Sequence, residues 1–246
     1  MILRALAALA APAGARCRLS VFYFHRALAE PDPLLPFEPD ARMFDRMLGW
    51  IGAQFRVLDP LEACDRLFDG TLPSRPAVVT FDDGYRDNLT AALPILRALS
   101  IPATVFVTTR ALEQQQTFWW ERWTQLEREA PADRWPLFPW QARMQRKGLP
   151  QARLHSGARW LRALLPEVRE AWLGREQLEL GVRFPEEVAP LSIPELQQLA
   201  THPLIEVGAH PVHTRVELDV DGGGRALRPP RPLEDVEGGM AGNGGG

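Results

Sequence analysis

The sequence predicts an α/β protein built on a parallel sheet. Two near-continuous apolar runs, Ala77-Val78-Val79-Thr80-Phe81 and Ala103-Thr104-Val105-Phe106-Val107, lie within about thirty residues of each other and flank one helical pattern. Strands that lack apolar–polar alternation are covered on both faces, as in a parallel βαβ unit. A third run, residues 204–208, ends in polar residues like the first.

The elements follow in order. In residues 1–15, Arg4 precedes an Ala-rich run and the small residues Ala13, Gly14 and Ala15, the outline of a signal peptide. The run is poor in leucine and one charge precedes it, so residues 1–18 are read as an N-terminal helix rather than a convincing export signal. Leu19-Ser20-Val21-Phe22-Tyr23-Phe24 reads as a buried strand that ends at His25-Arg26. The Pro-rich stretch 30–39 is a loop. Phe44, Met47, Leu48 and Ile51 fall on one helical face, with Asp40 as N-cap and an end near Gln54. A short strand at 55–58 precedes Asp59-Pro60-Leu61-Glu62, an acidic capping box with proline at the first helical position. That helix carries Leu61, Leu67 and Phe68.

After the turn at 70–76 and the strand at 77–81, a helix packs Leu89, Leu93, Leu96 and Leu99, with Pro94 as a local flaw. Between about 111 and 190 a helical insertion is expected; seven of the eight tryptophans lie between Trp119 and Trp172. Tryptophans at helical spacing favour a core over sugar-stacking platforms. Ser192-Ile193-Pro194-Glu195 is a second capping box, opening a helix to about Ala200. The domain is thus read as 19–220. The last 26 residues hold nine of the 19 glycines and no aromatic residue, and are expected to be a disordered tail at 221–246.

Composition excludes several classes. With 46% hydrophobic and 24% charged residues in 246, the chain as a whole is no disordered, collagen-like or coiled-coil rod. A net charge of −3 gives no basic field for nucleic acid. No run reaches the roughly 18 to 20 apolar residues of a membrane span. Cys17 and Cys64 form neither a disulfide framework nor a CxxC metal pair.

The chemistry lies at strand ends. Asp82 and Asp83 leave one strand, and His210 and His213 follow another, where parallel α/β architectures gather their working residues. Asp-Asp-Gly alone is often a turn with a helix cap, and the two histidines alone are often surface residues. Together they suit a catalytic divalent metal: two imidazoles and a carboxylate leave open positions, and the second carboxylate stays free as a base.

The run Val79-Thr80-Phe81-Asp82-Asp83-Gly84-Tyr85, with Ile101-Pro102-Ala103-Thr104-Val105-Phe106-Val107 after it, resembles the first motif and following strand of the polysaccharide deacetylases, the NodB-homology family of carbohydrate esterases. Phe22-Tyr23-Phe24-His25-Arg26 is similar to the opening strand of that domain, and Ile205-Glu206-Val207-Gly208-Ala209-His210 to the approach to its second motif. The resemblance implies a distorted (β/α) barrel and removal of acetyl groups from an N-acetylated polysaccharide or oligosaccharide with a bound divalent metal, commonly zinc. It makes Asp82 the general base and Asp83 a metal ligand, with His210 and His213 as the remaining ligands. Tyr85 and His25 are candidate substrate contacts. His155 and His202 are read as surface residues.

Two departures shape the expectation. Pro211 stands where the family has a hydroxyl residue, and His213 comes one residue early, with Thr214 in the expected place. Beyond Arg215 nothing matches the family's later motifs, so the barrel is expected to be incomplete and the activity impaired by truncation. The alternatives are a non-catalytic remnant or saccharide-binding relative and, disfavoured because no phosphate-cradling Gly-rich loop accompanies Asp82, a metal-dependent phosphoesterase.

Overall fold

The computed structural model describes residues 11–14, 16–130 and 150–210, all within one compact unit, Met1–Val212. Residues 11–14 and 16–19 hold bends and a turn and are not helical. The rest of the expected N-terminal helix, the tail at 221–246 and His213 lie outside the described residues.

Five parallel strands form the sheet: β1 (Ser20–Phe24), β2 (Arg56–Val57), β3 (Pro76–Phe81), β4 (Ala103–Val107) and β5 (Ile205–Ala209). Their order is β1-β3-β4-β5, and β2 pairs with the first residues of β3. Every residue of β3 is buried, as its unbroken apolar run requires of a central strand. β1 departs from its reading as a buried strand: Val21 and Tyr23 are 57% and 66% exposed. Their β-branched and aromatic character gives strand propensity, but one face of this edge strand is left uncovered. Among the described residues the sheet stays open and does not close into a barrel.

Helices α1 (Ala41–Gln54), α2 (Pro60–Phe68) and α3 (Leu93–Leu99) connect the first four strands. Asp40 caps α1 by accepting from the Met43 N–H at 2.8 Å, and α1 buries Phe44, Leu48 and Ile51 against Val79, Phe81 and Leu96. Met47, expected on that face, sits at its margin and is exposed. Asp59 caps α2 as expected, accepting from Leu61 and Glu62 N–H groups. The helix then turns Leu61, Leu67 and Phe68 outward and lies on the sheet through Ala63. Leu61 and Phe68, seven residues apart, share the face opposite Ala63, whose small side chain permits close approach. Pro94 marks a local flaw, as read: the helical backbone runs unbroken from Arg86 through a π turn over Asn88–Ala92 into α3, and Pro94 stands just past that turn.

Between β4 and β5 lie α4 (Thr109–Gln114), α5 (Trp119–Glu129), α6 (Pro150–Ala163) and α7 (Pro166–Leu180), followed by α8 (Ile193–Ala200). The expected insertion has its own core of Trp123, Leu126, Leu154, Leu161, Leu173 and Val182, with Trp160 and Trp172 packed against it. Trp123 Nε1 donates to the Leu154 carbonyl at 2.9 Å. The tryptophans described here are thus mostly core, while Trp135 and Trp140 lie outside the described residues. The Ser192–Glu195 capping box forms as read, closing the start of α8.

Candidate active site

The central strand delivers its carboxylates by a sharp reversal. The Asp82 N–H still donates to Phe24 O at 2.9 Å, continuing the β1 ladder one residue past β3. Asp83 and Gly84 then both take positive φ, +72° and +74°. Aspartate tolerates this left-handed region better than most residues, and glycine enters it freely. Asp83 is fixed at the end of β4: its carbonyl accepts from the Thr108 N–H and its Oδ1 from Thr108 Oγ1, each at 3.3 Å.

Both aspartates are half-buried. Burial pushes the Asp83 carboxyl above its ordinary range; His25 and His210 pull it back, and the neighbouring Asp82 charge adds to the push. Both histidines therefore act on Asp83 from the ends of other strands. His25 follows β1, Asp83 follows β3 and His210 follows β5, its N–H donating to Val107 O at 2.8 Å. His202 is half-buried, with Nδ1 accepting from the Leu204 N–H.

Tyr85 is buried, with 2% exposure, and its hydroxyl is engaged: it donates to Glu121 Oε1 at 2.9 Å and accepts from Trp120 Nε1 at 2.6 Å. Its ring faces a guanidinium that the sequence reading passed over. Arg26 Cζ lies 4.7 Å from the Tyr85 ring centre, while Nε donates to Asp87 Oδ2 at 2.8 Å, Nη1 to Glu121 Oε2 at 3.2 Å and Nη2 to the Glu187 carbonyl at 2.9 Å. One buried fork thus joins the end of β1, the turn after β3 and helix α5 of the insertion. Burial pushes the Asp87 carboxyl up to about 6, against the opposing pull of Arg26. Glu121 is raised for the same reason. Burial alone would lower Arg26, but Glu121 and Asp87 more than offset it and hold the guanidinium charged.

Beside this network opens a cavity of about 450 Å³. His25, Glu38, Asp83 and the Tyr85 ring line one part of it; Trp120, Trp123, Leu154 and the exposed His155 line another. Asp82 and His210 are not on its wall. Arg26, Glu38, Asp87 and Glu121 were the residues missed. A charged residue two positions past an apolar strand, as Arg26 is, was the available signal; Glu121 within a Trp-rich helix offered none.

Among the described residues no three His, Cys, Asp or Glu side chains converge closely enough to hold a metal ion. The donor set around Asp83, a carboxylate with imidazoles acting on it from two strand ends, fits a divalent ion in kind.

Residues 69–136 match the family model described as polysaccharide deacetylase. Over 71 residues, 28% of this chain, the sequence is 34% identical to "Putative polysaccharide deacetylase YxkH" of Bacillus subtilis (strain 168), and the match covers 25% of that protein. The chain thus spans about a quarter of the length of this relative. Among solved structures it is similar to a de-N-acetylase from Aggregatibacter actinomycetemcomitans, with TM-score 0.44 and 15% identity, covering 85% of this chain and 60% of that one. The BpsB deacetylase domain from Bordetella bronchiseptica follows, with TM-score 0.40, 20% identity and coverage of 78% and 54%. IcaB from Ammonifex degensii gives TM-score 0.33 and 29% identity over 39% of each chain. The similarity to the polysaccharide deacetylase family is thus carried by residues 69–136, the segment that holds Asp82, Asp83 and Gly84.

Proposed function

We propose that the chain is a metal-dependent hydrolase that removes acetyl groups from an N-acetylated polysaccharide. The observation that supports this reading best is the pair of adjacent carboxylates at the end of the central strand, inside the family-matched segment, with His25 and His210 acting on Asp83 beside an open cavity. Asp83, His210 and His213 would hold the ion, zinc by the family resemblance, and it would supply a Lewis acid for the acyl oxygen and acidify the attacking water.

The chain's own groups do the rest. Asp82, half-buried and anchored to β1 through its N–H, is the base. It takes the proton of the attacking water and passes it to the amine as the C–N bond breaks. The acetamide approaches from the cavity, where His25 can hydrogen-bond the sugar and the Tyr85 ring forms a rigid wall, its hydroxyl already held by Glu121.

The test is acetate release from N-acetylglucosamine oligomers by the purified chain with zinc or cobalt. Release that falls by about 10²- to 10⁴-fold in Asp82→Asn is expected for loss of a general base. Equal release in the variant would overturn the role of Asp82. Saccharide binding with no release would favour the non-catalytic binding relative. Zinc stoichiometry should drop in Asp83→Ala and His210→Ala; equal loading in all three proteins would remove both from the ligand set.

A further inference from the structure

The loop between β1 and α1 is held rigidly. The Leu28 N–H donates to Pro39 O at 2.9 Å and the Ala41 N–H to Leu28 O at 2.7 Å, clamping the two ends together. Inside, Asp32 accepts from the Leu34 N–H through Oδ1 and from the Leu35 N–H through its carbonyl, and Glu38 donates its N–H to Leu35 O. Pro31, Pro33, Pro36 and Pro39 each fix one φ. Leu34 and Leu35 pack on the core of the insertion, and Asp32 Oδ2 meets Arg128 Nη2 of α5 at 2.6 Å.

From this braced loop Phe37 projects with 87% of its surface exposed. Lone exposed apolar side chains are ordinary on protein surfaces. Phe37 differs in standing on an ordered loop at the wall of the cavity that Asp83, His25 and its own neighbour Glu38 also line. The cavity, at about 450 Å³, is within the usual range of small-molecule sites, roughly 300 to 1,000 Å³. It is far more than an acetyl group needs.

An exposed aromatic face next to a half-buried carboxylate is complementary to a pyranose, which presents C–H groups on its face and hydroxyls around its rim. We propose that Phe37 and Glu38 form a sugar subsite beside the reacting carboxylates: Phe37 stacks on one ring of the polymer and Glu38 accepts a hydroxyl hydrogen from it. The proposal rests on the deacetylase reading and deepens it by assigning recognition of the chain to the β1–α1 loop. Because the loop is already ordered, little conformational entropy is lost when the ring docks.

The probe is the N-acetylglucosamine tetramer, titrated calorimetrically into the full chain and into Phe37→Ala, Phe37→Tyr and Glu38→Gln. Phe37→Ala should bind about tenfold more weakly, while Phe37→Tyr stays within about threefold of the parent. In turnover the Phe37→Ala loss should fall on KM for the tetramer, with kcat kept. Phe37 is exposed, so a matched Tm will show the fold intact. Equal tetramer affinity in the parent and Phe37→Ala overturns this subsite and leaves the deacetylase reading standing. A parent that binds no tetramer and releases no acetate overturns that reading, and this proposal with it.

Discussion

Gly84 lies directly against Val107: a Cβ at Gly84 would sit 2.7 Å from Val107 Cγ1 and 3.3 Å from Val107 Cα. The contact joins the turn that carries Asp83 to the end of β4, and φ of +74° makes the same position unfavourable for any side chain. Gly84→Ala therefore meets a backbone penalty and an overpacking penalty together, about 2–4 kcal/mol in all. Urea unfolding should show that loss, and acetate release should fall further than stability explains, because Asp83 must shift with the turn. A variant within about 0.5 kcal/mol of the parent would show that the turn can relax away from Val107.

The Asp87 carboxyl sets a pH dependence of opposite sign to that of an ordinary surface carboxylate. Its folded pKa is about 6, raised from 3.8, so between those values the folded chain holds more protons than the unfolded one. Stability from this group is complete below about pH 4 and is lost as pH rises through 6. The shift corresponds to an upper bound of about 3 kcal/mol. Unfolding free energies from pH 4 to 8, taken as the difference between the parent and Asp87→Asn, should fall across this window. A difference that rises with pH would mean that Arg26 keeps Asp87 ionised throughout.

At α8, Ser192 Oγ caps the Glu195 N–H and the Glu195 carboxylate accepts from the Ser192 N–H at 2.8 Å. Burial alone would raise Glu195, but these bonds and the Arg86 ion pair at 2.7 Å lower it instead. Ser192→Ala should cost about 1 kcal/mol near pH 7. The Glu195 contribution should fade as pH falls through its lowered pKa. Thermal melts at pH 7 and pH 3 check both, and a variant as stable as the parent at pH 7 would contradict the capping account.

That box was legible because both halves lie within four residues, as do the Asp40 and Asp59 caps. The strands were legible from their apolar runs, and Asp82 and Asp83 from their place at the end of one. What the sequence left hidden depends on contacts far apart along the chain. Val21 and Tyr23 have the residue types of a covered strand, and only the sheet order puts β1 at an edge. The π turn before Pro94 answers a conflict between proline and packing that local propensity leaves open. Arg26 and Glu121 are 95 residues apart, and nothing local to either predicts their pairing. Phe37 reads as loop composition until the clamps at Leu28 and Ala41 are known.

The Arg26 network yields the strongest stability prediction. With side-chain exposures of 5% for Arg26 and 7% for both Asp87 and Glu121, removing the guanidinium strands two carboxylates in the interior. Breaking a buried pair by deleting one partner costs about 3–5 kcal/mol, whereas replacing the whole set by neutral groups is often nearly neutral. Arg26→Met should therefore lose about 3–5 kcal/mol at pH 8. The loss should be smaller at pH 5, where the two stranded carboxyls, raised still further without their cation, are protonated. The triple variant Arg26→Met, Asp87→Asn, Glu121→Gln should recover most of the loss, since the amide oxygen introduced by the last substitution can still accept from the Tyr85 hydroxyl and no buried charge remains. Urea unfolding of the parent and both variants at the two pH values decides the matter. If Arg26→Met loses as much at pH 5 as at pH 8, and the triple variant recovers nothing, Arg26 acts through packing over the Tyr85 ring and not through its charge.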